Sequence, residues 1–338
     1  MKKIFFLLLL IVLPTLVFEG ILQSNAGLFE KILLINSDFL EWSAAASKMN
    51  VWPDTIIMGT SLAKEGIDPR IIQSQLSKKG IHSTVGSIAI NADSTSTDYL
   101  TLKRILKTCT RCPKTIIYQI TDVSLRDHET KIWKDFTYEK ILKLYYPDPQ
   151  TDALLATAAN DDSYFRGYLA SLRMLKSFRT YFTKGRIVDM LLNENSYEPL
   201  YSDTNWYNGF YSYNKTLTKK NEKESIDQYR EYLENYHTGG VTLLFLQNFL
   251  SLAKKNNIKV YIIIMPVTQI YLDTFARDEK LYRKEVFSVQ KNYNLPLIDD
   301  MYYNTKDYLL YTNTNHLNKK GAKLFSNYLG TQLANVWY

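Results

Sequence analysis

Short apolar runs that alternate with helical segments constrain the fold of this chain more than any other feature of its sequence. Three runs, at 55–58, 114–120 and 259–264, have the length of a buried strand, and segments with helical spacing lie between them. Strands that are apolar throughout are buried on both faces, which is typical of a parallel sheet covered by helices. The pattern therefore predicts an α/β fold with a central parallel sheet.

The predicted elements fall into two groups along the chain. The first group begins near residue 54 and the second near residue 237. The predicted strands are 55–58, 83–90, 114–120, 259–264 and 295–298, and the predicted helices are 69–76, 99–106, 241–255 and 319–336.

An aromatic insertion separates the two groups. Residues 131–236 hold 14 of the 26 Tyr and break the alternation of strands and helices. The insertion is predicted to be mostly helical or irregular. It serves either as a lid or sugar-stacking surface, since aromatic rings combine apolar area with polar groups, or as packing against the sheet. The predicted organisation is 1–25 membrane segment, 26–53 linker, 54–130 first half, 131–236 insertion and 237–338 second half.

The N-terminus predicts the compartment. Lys2 and Lys3 precede an apolar run that extends, with few interruptions, from Ile4 to Leu22. This run is about 28 Å long as a helix, close to the thickness of a bilayer core. We expect an uncleaved signal-anchor, with a cleaved signal as the alternative, and a domain outside the cytoplasmic membrane. The net charge is +7, but the sequence contains no run of five Lys or Arg residues, so we expect no nucleic-acid partner.

Two segments carry candidate chemistry. Ser61 follows the first strand within Gly59-Thr60-Ser61-Leu62, where parallel α/β folds place ligands. His316 lies in the polar segment 313–318 just before the last helix, and its imidazole can take a hydroxyl proton. The alternatives are that Ser61 caps a helix and that His316 bonds within its own loop.

Together these segments resemble the SGNH (GDSL-type) hydrolase superfamily. The closer resemblance is to its membrane-anchored bacterial branch, the DltD-like proteins that accompany membrane-bound O-acyltransferases. Beside Gly59-x-Ser61 and Asn-His-Leu-Asn-x-x-Gly-Ala, it is carried by Gly66-Ile67-Asp68-Pro69, Thr121-Asp122 and Met265-Pro266. It covers roughly 54–127 and 241–336.

The resemblance implies a flavodoxin-like three-layer sandwich and an acyl-serine intermediate. Ser61 is the implied nucleophile and His316 the implied base. The Ser61 N–H, with Asn91 and Asp122 as positional candidates, is expected to hold the oxyanion. The implied partners are the membrane, a membrane-bound O-acyltransferase and a glycan or glycopolymer substrate; no cofactor or metal is expected.

One position departs from the family pattern. Asn313 stands three residues before His316, where the family has the Asp that orients the imidazole. An Asn oxygen can hold the useful tautomer but cannot stabilise an imidazolium with a full charge. The alternatives are a slower Ser–His pair, a site that uses another carboxylate, or a degenerate enzyme. The other carboxylates considered are Asp299, Asp300 and Asp307.

The two cysteines are three residues apart, at Cys109 and Cys112. They follow a predicted helix and precede a strand, whereas a redox pair lies at a helix N-terminus. In an oxidising compartment this spacing favours a local structural disulfide over a redox or zinc role.

The sequence thus predicts an extracytoplasmic O-acyl transferase or esterase, with acetyl as the expected group, acting on a cell-envelope glycan. Two alternatives remain open. One is a catalytically degenerate glycan-binding or scaffold protein of an acylation complex, motivated by Asn313. The other is a secreted esterase that works without a partner.

Overall fold

The computed structural model describes residues 51–91, 94–127, 151, 153–157, 209–233 and 236–337. The chain divides into two compact units, Met1–Ala44 with Tyr138–Pro199, and Ala45–Thr137 with Leu200–Tyr338. In the first unit the described residues, 151 and 153–157, are helical. The other described residues belong to the second unit, which contains all elements discussed below.

Several predictions concern residues outside these ranges. The membrane segment, the linker up to residue 50 and most of the Tyr-rich insertion lie outside the described residues. Within the part of the chain that the structure describes, no helix is both long and apolar enough to cross a bilayer.

The second unit alternates strands and helices from residue 55 onward. Its strands are β1 (Thr55–Met58), β2 (Val85–Ser87), β3 (Thr115–Ile120), β4 (Lys259–Ile264) and β5 (Leu297–Asp299). Its helices are α1 (Ser61–Gly66), α2 (Pro69–Lys78), α3 (Thr95–Thr108), α4 (Asp122–Leu125), α5 (Lys219–Leu233), α6 (Gly240–Lys255), α7 (Gln269–Phe275), α8 (Glu279–Tyr293) and α9 (Lys319–Val336), with a 3₁₀ turn at Tyr308–Leu310.

The strands of the described residues form one five-stranded parallel sheet. Its order is β2-β1-β3-β4-β5, and Ile57 of β1 pairs with Ile117 of β3, which pairs with Tyr261 of β4. The predicted α/β class with a central parallel sheet is confirmed, and the strand order is that of flavodoxin-like folds. The strands that follow β1 are added on one side of it (β2) and then on the other (β3, β4 and β5), so the strand order switches at β1 and β3. The carboxyl ends of these two parallel strands flank the crevice where such folds bind ligands.

Helices cover both faces of the sheet. Because side chains alternate along a strand, Ile57 and Ile117 face one side, where they join the buried residues of α2 and α9. Tyr118 faces the other side and packs against Phe249 of α6, with ring centroids 4.8 Å apart. A ten-residue helix such as α2 is marginal by itself in water, so this burial against the sheet stabilises it.

The two cysteines are bonded to each other. Cys109 directly follows α3, and its disulfide to Cys112 closes the short connection into β3, with the two Cα atoms 5.1 Å apart. The local disulfide that the spacing favours is therefore present.

Candidate active site

Ser61 lies at the start of α1, immediately after the turn that ends β1. Thr60 caps the helix, because its Oγ1 accepts from the Leu62 N–H at 3.3 Å. The Thr60 N–H and hydroxyl both donate to Oε1 of Gln119, each at 3.0 Å. Gln119 lies on β3 and is fully buried, so it fixes this turn to the neighbouring strand.

Gly59 makes this close approach possible. Its φ is +135°, a backbone conformation that residues other than glycine rarely adopt. A Cβ at this position would lie 2.7 Å from Gln119 Oε1 and 2.9 Å from its backbone oxygen. Gly59 is therefore needed to bring the backbone of the Ser61 turn against β3.

The segment that carries His316 is a closed loop. The Thr312 N–H donates to the His316 carbonyl at 2.8 Å, and Tyr311 forms a β-bridge with Leu317. Asn318 then caps α9, because its Oδ1 accepts from the Lys320 and Gly321 N–H groups at 3.1 and 3.0 Å. The loop is thus closed at its base before the last helix begins.

A second set of contacts holds the middle of this loop through Thr314. Its N–H donates to Ser225 Oγ of α5 at 3.0 Å, and the two hydroxyls are also 3.0 Å apart. Its carbonyl accepts from the Thr268 N–H and hydroxyl at 3.0 and 2.7 Å. Ser225, in the predicted insertion, therefore supports the loop that carries His316.

The fold brings Ser61 and His316 into hydrogen-bonding contact. His316 Nε2 lies 2.7 Å from Ser61 Oγ, although 255 residues separate them. On the other side of the ring, Nδ1 lies 2.7 Å from Oδ1 of Asn315 and 3.1 Å from Oδ1 of Asn313. Two acceptor oxygens at Nδ1 require a proton there, so Nε2 keeps the lone pair that accepts the Ser61 hydroxyl.

The side chain of Asn313 is held by its own loop. Its Oδ1 also accepts from the backbone N–H groups of Asn315 and His316, at 3.1 and 2.8 Å. Three donors surround this oxygen, so the amide presents its oxygen to the imidazole. Oδ1 of Asn313 thus faces Nδ1 of His316, and the shorter contact comes from Asn315, which sequence reasoning missed.

Burial sets the charge state of His316. The residue is 9% exposed, and desolvation lowers the pKa of its imidazole from 6.5 to about 4. The ring is thus neutral at pH 7, as a general base must be before it accepts a proton.

Two of the three carboxylates considered as substitutes for the Asp of the resembled family have other partners among the described residues. Asp299 pairs with Arg283, and Asp307 accepts from the Leu309 N–H at the start of the 3₁₀ turn. Burial, and then the charge of Asp299, raises the pKa of Asp300 to about 6. Among the described residues, the oxygens that contact the His316 ring nitrogens are those of Ser61 and of the two Asn amides.

The two oxyanion candidates lie in different environments. Asn91 is exposed in the turn beyond β2, while Asp122 is buried at the start of α4, just beyond β3. Oδ1 of Asp122 accepts from the Tyr271 hydroxyl at 3.1 Å, so in this arrangement it acts as an acceptor. Donation to an oxyanion by either residue stays a prediction.

An irregular aromatic segment, 209–217, borders the site; we call it the strap. It lies within the predicted insertion, and the Tyr211 N–H donates to the carbonyl of Lys64 in α1 at 3.1 Å. Further on, the carbonyl of Tyr213 accepts from the Lys319 N–H at the start of α9, at 2.8 Å. The two rings are 56% and 43% exposed and stand edge to face with centroids 4.9 Å apart, so they present aromatic surface beside the segments that carry Ser61 and His316.

The described residues contain no group of three or more His, Cys, Asp or Glu that could hold a metal ion. No protein-family model matches this chain, and no curated protein matches its sequence significantly.

Proposed function

We propose that this chain is an extracytoplasmic serine acyl transferase or esterase of the SGNH type, acting on O-acyl esters of a cell-envelope glycan. The observation that carries the proposal is the 2.7 Å contact between Ser61 Oγ and His316 Nε2, at the carboxyl end of β1. For this contact to serve base catalysis, His316 must carry its proton on Nδ1, and the two Asn oxygens at Nδ1 select that tautomer.

The reaction has two halves. Ser61 Oγ attacks the acyl carbonyl while its proton passes to His316 Nε2, and the resulting oxyanion is held by donors that include the Ser61 N–H at the start of α1. The C–O bond to the leaving group then breaks as Nε2 returns the proton to the departing oxygen. In the second half, His316 Nε2 deprotonates water or a glycan hydroxyl, whose oxygen attacks the acyl carbon. The bond from that carbon to Ser61 Oγ then breaks as Nε2 returns the proton to Oγ.

The Asn residues change the rate that this site can reach. In the Ser-His-Asp template an Asn in place of Asp costs about 10⁴ in kcat, chiefly because the imidazole takes the wrong tautomer. Here the oxygens of Asn313 and Asn315 both face Nδ1, so the tautomer is kept and the charge alone is lost. The proposed enzyme is therefore slower than one with a carboxylate at Nδ1, but its imidazole keeps the Nδ1–H tautomer that base catalysis needs.

The cell-envelope setting of the proposal depends on the sequence. The apolar N-terminal run after Lys2 and Lys3 anchors the chain, and a membrane-bound O-acyltransferase supplies the acyl group across the bilayer. The exposed rings of Tyr211 and Tyr213 beside the site are suited to stacking on sugar rings of the acceptor polymer.

The test is covalent trapping on Ser61. The full-length chain, purified in mild detergent, is incubated with an activated acetyl ester and examined by mass spectrometry. We expect an acetyl adduct on Ser61 that Ser61→Ala and His316→Ala abolish and that the exposed-site control Ser251→Ala retains. A folded wild-type protein without adduct, even with the membrane partner present, would contradict the proposal.

One observation favours a second candidate function. Among the described contacts of the His316 ring no carboxylate occurs, as in a site that has lost catalysis and serves glycan binding or scaffolding. This candidate predicts that polymer acylation continues in cells carrying Ser61→Ala and stops when the whole protein is deleted.

A further inference from the structure

The two Asn side chains at the imidazole are separated by one residue, Thr314. Oδ1 of Asn313 and Oδ1 of Asn315 lie 3.1 and 2.7 Å from His316 Nδ1. The peptide group before Thr314 contains its N–H and the Cα of Asn313, and the peptide group after it contains its carbonyl and the Cα of Asn315. Because peptide groups are planar, the orientation of these two planes determines where both Asn side chains begin.

Both backbone groups of Thr314 are held from outside the loop. The N–H donates to Ser225 Oγ at 3.0 Å, and the carbonyl accepts from the N–H and the hydroxyl of Thr268, at 3.0 and 2.7 Å. Thr314 and Thr268 are 0% exposed and Ser225 is 7% exposed, so these hydrogen bonds are shielded from water. Each of the two peptide planes is therefore fixed by a buried partner.

Thr268 makes this contact in place of a local one. It occupies the N-cap of α7, where a Thr hydroxyl usually accepts from a backbone N–H of its own helix and stabilises the first turn. The Thr268 side chain makes no such cap hydrogen bond. Its hydroxyl donates instead to the Thr314 carbonyl, in the shortest of the three hydrogen bonds that hold the Thr314 backbone. A residue that departs from a local rule in this way is typical of a functional site.

Ser225 brings the predicted insertion into the same arrangement. It lies within α5, and its Oγ is also 3.0 Å from Thr314 Oγ1, so the side chain of Thr314 is held as well as its backbone. The helices α5 and α7 contact each other directly, with the rings of Tyr229 and Tyr271 5.9 Å apart. Ser225 and Thr268 are thus carried by two helices that pack together against the His316 loop.

We propose that Thr268 and Ser225 are positioning residues that hold the Asn313–Asn315 pair at His316 Nδ1 by fixing the backbone of Thr314. Rotation of either peptide plane moves an amide oxygen away from Nδ1 and loosens the imidazole that faces Ser61. A misplacement of about 1 Å can cost about 10²-fold in rate, even when the substituted residue is remote from the chemistry. The catalytic consequence rests on the proposed function, but the hold on the imidazole does not.

The first readout follows the proton on Nδ1 without any reaction. The full-length chain labelled with ¹⁵N-histidine is studied in detergent by ¹H–¹⁵N NMR at pH 7.5, and the His316 signals are assigned with His316→Gln. We expect slow exchange of the Nδ1 proton with water in the wild type, because two amide oxygens in a buried loop accept it. Thr268→Val and Ser225→Ala each remove one hydroxyl, so each should speed this exchange by about tenfold or more through easier local opening.

Two further variants separate positioning from general stability. Thr268→Ser keeps the hydroxyl and should recover slow exchange. Thr95→Val removes a hydroxyl of the same kind, because Thr95 Oγ1 donates to the backbone carbonyl of Thr242 at 2.6 Å and the residue is buried where α3 meets α6. We expect Thr95→Val to destabilise the protein but to leave the exchange of the Nδ1 proton unchanged. Thr268→Val decides the test if Ser225→Ala does not fold.

Hydrolysis of an aryl acetate over a range of concentrations gives the second readout. We expect Thr268→Val to lower kcat by about tenfold or more and to change KM by less than about twofold, whereas Thr95→Val retains both. Wild-type exchange of the Nδ1 proton in Thr268→Val overturns the inference, and a kcat equal to that of Thr95→Val overturns its catalytic part. Absence of turnover in every protein, wild type included, contradicts the proposed function and leaves proton exchange to decide the inference.

Discussion

The buried imidazole predicts an unusual pH profile for acylation of Ser61. Only neutral His316 can accept the Ser61 proton, so the rate follows the neutral fraction of the imidazole. Burial places the pKa of His316 at about 4 instead of 6.5. Since the pKa is lowered, the active form persists as the pH falls and is lost only when the pH approaches 4.

The size of this effect is large enough to measure at mildly acidic pH. With a pKa of about 4, about 97% of His316 is neutral at pH 5.5, whereas an imidazole of pKa 6.5 is about 9% neutral. The two cases differ about tenfold in rate at that pH. We therefore expect the acylation rate to be nearly constant between pH 5.5 and 8.

The assay measures the initial release of the leaving group from an aryl acetate, with Ser61→Ala as the blank at each pH. Glu65 needs a control, because it lies four residues after Ser61 in α1 and burial raises its pKa to about 7. An inflection near pH 7 that disappears in Glu65→Gln belongs to that carboxyl. A half-loss of rate near pH 6.5 that persists in Glu65→Gln would refute the reasoning.

Three substitutions test the supports of the site. Gly59→Ala should lower the free energy of unfolding by about 2 kcal/mol or more in urea, because it adds backbone strain and a clash with Gln119. The control Gly80→Ala is also at positive φ but has open space around it, so it should cost about 1 kcal/mol. Ser225→Ala leaves a buried N–H without its acceptor and should cost about 1–3 kcal/mol in the same assay. Asn313→Asp keeps the acceptor geometry and adds a charge, so it should raise the pKa of His316 by NMR titration and speed acylation.

Each of these expectations has a contrary outcome. Equal costs for Gly59→Ala and Gly80→Ala would mean that β3 moves aside without loss. A change in stability below about 0.5 kcal/mol for Ser225→Ala would place it among ordinary surface substitutions. An unchanged pKa of His316 in Asn313→Asp would mean that the new carboxyl is itself protonated in this buried loop.

Apolar patterning was enough to predict most of the sheet. The runs at β1 and β4 and the last helix have the predicted bounds, because their ends coincide with Gly, Pro or a capping Asn. The helix α8 was not predicted. Its buried stripe consists of Tyr282, Val286 and Val289 in an otherwise polar segment, so its helical period is carried by few residues.

The residues of the candidate site also fall into those that the sequence could predict and those that it could not. Ser61 and His316 were predictable because each stands at a fixed place beside a strand or helix end. Tyr271 and Ser225 were not, since their contacts join segments that are distant in sequence and have no motif of their own. Asn315 was visible in the polar segment, but its contact with the imidazole depends on the closure of the loop.

Neutral amide oxygens at Nδ1, rather than a carboxylate, are consistent with the burial of the imidazole. A charge directly at Nδ1 would be a buried carboxylate, which is costly unless several donors surround it. The oxygen of Asn313 already receives three hydrogen bonds as a neutral group, so no buried charge stands at Nδ1. The arrangement keeps the tautomer but gives a weak base, whose conjugate acid readily protonates a departing oxygen. Removal of the Ser61 proton is then the more demanding half of acylation, which suits a reactive acyl donor better than an unactivated alkyl ester.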